Sequence, residues 1–168
     1  MSPHSVINDS LKRDGSAFVN HPADRGKATR HGITAGTLAA YRKAPVSVDD
    51  VRNLTEDEAR AIYKSLYLER PKISEIRDVR LRGLMMDCAV HSGPAKAITW
   101  LQQALGVAAD GVIGPMTLNA VHLSDMERTY DRVLAQRLKF LGRLITNDPS
   151  QAAFAAGWMN RCAEFLES

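Results

Sequence analysis

The residues best suited to do chemistry lie between Arg13 and Thr34, in the stretch RDGSAFVNHPADRGKATRHGIT. Two acids, two histidines and three glycines are gathered there around one proline. The stretch is too irregular for a core element and too patterned for a linker, which marks it as a place where something is bound or cut. Asp14 closes a segment carrying apolar Val6, Ile7 and Leu11, so it is expected at the C-terminus of a helix. A carboxylate there meets the negative end of the helix dipole, which favours its protonated form, the state a general acid needs. Beyond it, Gly15, Pro22, Gly26 and Gly32 punctuate a loop or small β-ribbon. Pro22-Ala23-Asp24 reads as a turn whose aspartate can bond its own backbone, so Asp24 stands open between catalyst and turn former.

The elements that must position this stretch are helical. From Thr34 to Arg70 the chain reads as short helices; one begins at a capping box, Thr55-Glu56-Asp57-Glu58, presents Ile62 and Leu66, and stops before Pro71. Tyr63 and Tyr67, four apart, suit either half-buried packing or the wall of a sugar groove. Ile73 to Val90 reads as one central helix, because Leu81, Leu84, Met85, Cys88 and Ala89 follow the spacing of a core-facing stripe. His91-Ser92-Gly93-Pro94 ends it and launches the next, with His91 either structural or facing a cleft. Ile98, Leu101 and Leu105 then mark a helical face, Gly106 stops it, Asp110-Gly111 turns, and Gly114-Pro115 starts another helix. Ser124-Asp125-Met126-Glu127 reads as a further capping box ahead of a stripe of Val133, Leu134, Leu138, Leu141 and Ile145. Asp148-Pro149-Ser150-Gln151 starts a last helix carrying Phe154, Trp158, Cys162 and Phe165, with Trp158 expected in the core.

A chain of 168 residues, 45% hydrophobic and 24% charged, suits one domain with a real core. No apolar run approaches the ~18 residues of a membrane span, so no stable membrane insertion is expected. The opening MSPHSVINDSLKRD has no basic start leading into an apolar stretch, and no secretory signal is expected in it. A formal charge of +3 and a pI near 9.0 fit an anionic partner, without choosing between bacterial wall and nucleic acid. Cys88 and Cys162 sit in apolar helical contexts without metal-type spacing and are expected as buried free thiols.

The stretch from Asp14 to Thr34 resembles the signature of glycoside hydrolase family 108, N-acetylmuramidases of phages and bacteria. That signature runs roughly E-G-G-(x)-Y/F-x-(N/D)-x-P-x-D-x-G-G-x-T-x-x-G-I-T. Here it stands as Asp14-Gly15-Ser16-Ala17-Phe18-Val19-Asn20-His21-Pro22-Ala23-Asp24-Arg25-Gly26-Lys27-Ala28-Thr29-Arg30-His31-Gly32-Ile33-Thr34. It departs at Asp14, where the family has its catalytic glutamate, and at Lys27, where it has a second glycine. The fifteen-residue spacing of Asp14 and Thr29 also resembles phage-type lysozymes, in which a threonine holds the attacking water. The block LQQALGVAADGVIGPMT is similar to the L-Q-x-x-L-G-…-D-G-x-x-G-P-x-T pattern of peptidoglycan-binding modules, although its glycines also describe a plain helix-turn-helix corner. The ending FAAGWMNR resembles the family's F-x-x-G-W-x-x-R.

The resemblance implies a mainly α, lysozyme-like fold with a small loop or β-ribbon carrying part of the active site. Residues 1–90 would be the catalytic part and 91–168 a peptidoglycan-binding-like part, packed as a single unit over 1–168. The implied activity is hydrolysis of the β-1,4 bond between N-acetylmuramic acid and N-acetylglucosamine by an endolysin held in the host cytoplasm until release. Asp14 would be the acid, Thr29 would orient water, and Asp24 would be the base or a structural turn residue. Phe18, His21, Arg25, His31, Tyr63, Tyr67 and His91 would contact sugar; at His91 the family tends to have asparagine. Neither cofactor nor metal is expected. The expected partner of this monomer is bacterial peptidoglycan rather than nucleic acid. The alternative is a catalytically weakened wall-binding or secretion-assisting protein with the same fold, which the departures at Asp14 and Lys27 favour.

Overall fold

Helix α1 (Pro3–Asp14) begins where Ser2 and Ser5 cap it reciprocally, with Pro3 in its first turn. It ends at Gly15, whose N–H still reaches back to the Leu11 carbonyl and whose φ of 66° then turns the chain out of the helix. Asp14 is therefore the last residue of the helix, and Val6, Ile7 and Leu11 are buried on its inner face. The computed structural model describes residues 2–20 and 28–167, and of Arg13 and Asp14 the backbone alone.

Three short strands follow, β1 (Val19–Asn20), β2 (Ala28–Arg30) and β3 (Ile33–Thr34), antiparallel in the order β1-β2-β3. Val19 pairs with Thr29 and Thr29 with Thr34, whereas Asn20 pairs with Ala28 and Arg30 with Ile33. His31 and Gly32 form the two-residue turn between β2 and β3, both at positive φ (52° and 73°), as the tight hairpin turns that match strand twist require. Gly32 takes that conformation without strain; His31 does not.

Thr34 caps α2 (Ala35–Arg42), Ser47 and Asp50 form a capping box on α3 (Val48–Arg52), and Thr55 caps α4 (Glu56–Lys64) by accepting from the Glu58 amide. The α-helix stops at Lys64 and continues as one π turn, Ser65–Glu69. The wider turn shifts the side-chain phase, so Leu68 is the buried residue of the turn and Leu66 only half-buried. The single helix expected over Ile73 to Val90 is also broken. A 3-10 turn (Ile73–Glu75) gives way to extended Ile76, and α5 (Val79–Ser92) starts afresh where Asp78 accepts a 2.7 Å bond from the Leu81 amide.

Helix α5 is central: Leu81, Leu84, Met85, Met86, Cys88 and Ala89 are all fully buried, and the helix packs against α1, α6 (Pro94–Leu105) and α8 (Met126–Asn147). The remaining helices are α7 (Pro115–Leu123) and, after a 3-10 turn (Pro149–Phe154), α9 (Ala155–Leu166). Asp125 rather than Ser124 caps α8, accepting from the Arg128 amide; Ser124 closes α7. Phe154 lies in the 3-10 turn and is exposed, with Trp158 half-buried and stacked on it at 6.0 Å, so Trp158 rims the core instead of filling it; Cys162 and Phe165 do face inward.

The corner between α6 and α7 has a visible cause. The carboxamide nitrogen of buried Gln102 donates to Asp110 Oδ1 (2.7 Å), the Val112 carbonyl (3.0 Å) and Thr117 Oγ1 (3.1 Å), while its oxygen accepts from the Gly111 amide (2.8 Å). Gly111 sits at φ 75°, and a Cβ there would lie 3.1 Å from the Ala95 carbonyl oxygen. The glutamine, the Asp-Gly pair and the threonine of this block thus clasp the turn. The fold is mainly α with one small antiparallel sheet. Among the described residues no helix is long and apolar enough to cross a membrane.

Candidate active site

The site is built from the end of α1 and the sheet that follows it. Cross-strand partners share a face of a sheet, so Val19, Thr29 and Thr34 lie on one face and Asn20, Ala28, Arg30 and Ile33 on the other. Ala28 and Ile33 are 1% exposed, which turns the second face to the core. Thr29, half-buried, therefore lies on the outward face beside exposed Val19. A hydroxyl placed there can both donate to and accept from a water molecule.

The surrounding contacts hold the sheet rather than offering open sugar platforms. Helix α3 packs on β2, Arg30 Nη1 donates to the Arg52 carbonyl, and the Arg52 guanidinium lies 4.9 Å over the ring of half-buried Phe18. One face of that ring is thereby taken. His31 is 5% exposed, and its carbonyl accepts a 3.4 Å bond from the Tyr63 hydroxyl. Tyr63 is itself buried against Tyr67, their ring centroids 5.7 Å apart. His31 and Tyr63, both expected to contact sugar, are buried and tie the hairpin turn to α4, whereas half-buried Tyr67 keeps part of its surface outside. His21, Asp24 and Arg25, with Lys27, lie outside the described residues, as does the side chain of Asp14.

His91 belongs to a different neighbourhood. It stands at the C-terminal end of α5, its Nε2 3.5 Å from Asp87 Oδ1, and lines a cavity of about 260 Å³ walled by α8 and α9. Asp87 is fully buried, Arg137 Nη1 reaches its Oδ2 at 2.6 Å, and Arg161 Nε reaches its Oδ1 at 2.9 Å. Arg161 also lies 3.7 Å from Asp9 on α1 and 2.9 Å from Glu164. Burial alone would raise the Asp87 carboxyl, but His91, Arg137 and Arg161 overcome it and hold the group well below the usual carboxylate range. This network was missed by sequence reasoning. Its signal was an acid inside the apolar stripe of α5 and one arginine each amid those of α8 and α9.

Among the described residues no group of His, Cys, Asp or Glu is arranged to hold a metal ion. The backbone offers a helix that ends at an acidic residue, followed in the chain by a hydroxyl-bearing strand. Those parts suit acid-assisted attack of water on a glycosidic bond.

Residues 7–93 match the family described as Glycosyl hydrolase 108, and residues 96–163 match a "Predicted Peptidoglycan domain". No curated protein matches. Among solved structures the chain is similar to one titled "Structure of Brucella abortus SagA", with a TM-score of 0.79 and 32% identity over 96% of this chain and 90% of that one. Fold and matches together define a lysozyme-like glycoside hydrolase whose partner is peptidoglycan. The chain belongs to the glycosyl hydrolase 108 family.

Proposed function

We propose that this chain is an N-acetylmuramidase, cleaving the β-1,4 bond between N-acetylmuramic acid and N-acetylglucosamine, and that it serves as an endolysin. In this reading Asp14 protonates the leaving glycosidic oxygen, Thr29 orients the water that attacks the anomeric carbon, and Asp24 is either the base for that water or a structural turn residue. The observation that carries it is the family match across residues 7–93, with α1 ending at Asp14 and Thr29 on the outward face of the sheet next in the chain. The chain acts as a monomer, is released from the host cytoplasm to reach the wall, and uses residues 1–90 and 91–168 as one unit. The aspartate at position 14 favours a second reading, a wall-binding or secretion-assisting protein with weakened catalysis.

Mass analysis of digested, purified peptidoglycan separates these. New fragments with a reducing N-acetylmuramic end support the muramidase. Fragments ending otherwise overturn the bond assignment, and an undigested wall that still retains the protein supports the second reading.

A further inference from the structure

Resting on the reading that peptidoglycan is the substrate, we propose that a carboxylate-bearing stretch of the wall polymer is held away from the scissile bond by Lys96 and Arg143, in a groove between α6 and α8. The groove has a volume of about 650 Å³, with Ser92, Lys96, Trp100, Phe140 and Arg143 in its lining. Its wall is aromatic and fixed: the rings of buried Trp100 and half-buried Phe140 meet at 5.3 Å, and Lys96 Nζ lies 4.1 Å from the Phe140 centroid.

The charge is what points to an anion. Arg42, Arg60, Arg137 and Arg161 each meet a carboxylate, whereas Lys96 and Arg143, like several exposed cations elsewhere among the described residues, meet none, and these two line one groove. Two unopposed cations beside an apolar ring suit a polymer that carries free carboxylates on its peptide branches next to sugar rings with apolar faces.

Continuity points to a polymer. The groove shares Ser92 and Phe140 with the cavity of about 260 Å³ lined by His91, Trp158 and Arg161. That cavity shares Gly157 and Arg161 with a third depression, of about 510 Å³, bordered by Asp9 and Lys12 of α1. Three depressions are therefore linked in series by shared lining residues, from α6 and α8 to the helix that ends at Asp14. A single sugar would not need such a path; an uncut strand would.

The test uses the full chain and sedimentation with purified sacculi at low and high salt. Lys96→Ala combined with Arg143→Ala is expected to weaken sacculus binding by about 10-fold at low salt, as two partly exposed charge contacts would, with the thermal midpoint unchanged. Hydrolysis of a short soluble muramyl oligosaccharide stays at the parent rate. Lys43→Ala with Lys72→Ala removes the same charge from exposed sites elsewhere and is expected to bind within two-fold of the parent, roughly the weight of uncontacted surface charge. Equal binding by the parent and the Lys96/Arg143 variant, with the parent still binding and cutting sacculi, overturns the groove and leaves the muramidase reading intact. A parent that neither binds nor cuts sacculi overturns that reading and the groove with it. Sacculi stripped of phosphate-bearing polymers identify the acid: a deficit that persists assigns it to peptidoglycan carboxylates, and one that vanishes overturns that assignment in favour of phosphate.

Discussion

Asp87→Asn keeps the size of the side chain at the centre of the molecule and removes its charge. Asp87 is fully buried and stands between Arg137 and Arg161, each 4% exposed on its side chain. Without the carboxylate, Arg137 loses the carboxylate partner it has at 2.6 Å, and Arg161 keeps, among the described residues, Asp9 and Glu164 toward the surface. Removing one member of such a buried set costs on the order of 3–5 kcal/mol, because charges are left in a medium that does not solvate them. At roughly 2–4 °C per kcal/mol for a chain of this size, the midpoint should fall by about 6–20 °C. The pH dependence adds an independent signature. The folded-state carboxyl lies below the value of about 3.9 expected in the unfolded chain. Its contribution is therefore fully present above about pH 4 and is lost as pH falls further, so the parent should lose stability steeply in that range and Asp87→Asn less so. Far-UV circular dichroism with urea and heat, from pH 7 to pH 2, measures both. A midpoint at pH 7 within 2 °C of the parent, roughly 1 kcal/mol or less, would refute the reasoning. Asp87→Leu combined with Arg137→Met and Arg161→Met should recover most of the loss, since a buried ionic set can be replaced by apolar residues at little cost.

Three further outcomes are expected. Aspartate holds its oxygens about 1.5 Å short of a glutamate's on the same backbone, and a misplacement of about 1 Å costs on the order of 10²-fold in rate. Asp14→Glu should therefore raise kcat with KM little changed, and Asp14→Asn should abolish turnover because an amide supplies no proton; full activity in Asp14→Asn removes Asp14 from the acid role. Thr29→Ala should lower turnover by about 10²-fold with wall binding within a few-fold, and a parent-like rate would move the water to Asp24 or elsewhere. Burial pushes the Cys88 thiol up to about 12 and raises that of Cys162, so neither should react with a thiol reagent at pH 8 until the chain unfolds; mass spectrometry of the native protein showing prompt double labelling would contradict that placement.

Local chemistry was legible in the sequence because it acts over a few residues. The end of α1 at Asp14 and Gly15, the stop and restart at Gly93 and Pro94, the halt at Gly106 and the start at Pro115 each depend on one residue's φ or one missing amide hydrogen, and all stand where the sequence places them. The apolar spacing of α5 likewise identified its core face. What failed locally was competition between near-equal signals: Asp78 captured the helix start from Ile73, Asp125 captured it from Ser124, and a π turn moved the buried position from Leu66 to Leu68. What only tertiary structure decided is which polar groups meet. Tyr63 reaches the His31 carbonyl across 32 residues, Arg137 reaches Asp87 across 50 and Arg161 reaches it across 74. Spacing along one helix says which face a side chain occupies, not what covers that face. Tyr63, four residues from Tyr67 and a candidate groove wall by spacing alone, became a buried tie to the hairpin for that reason. The same holds for Asp87, whose burial is tolerable only because two distant helices each bring a guanidinium to it.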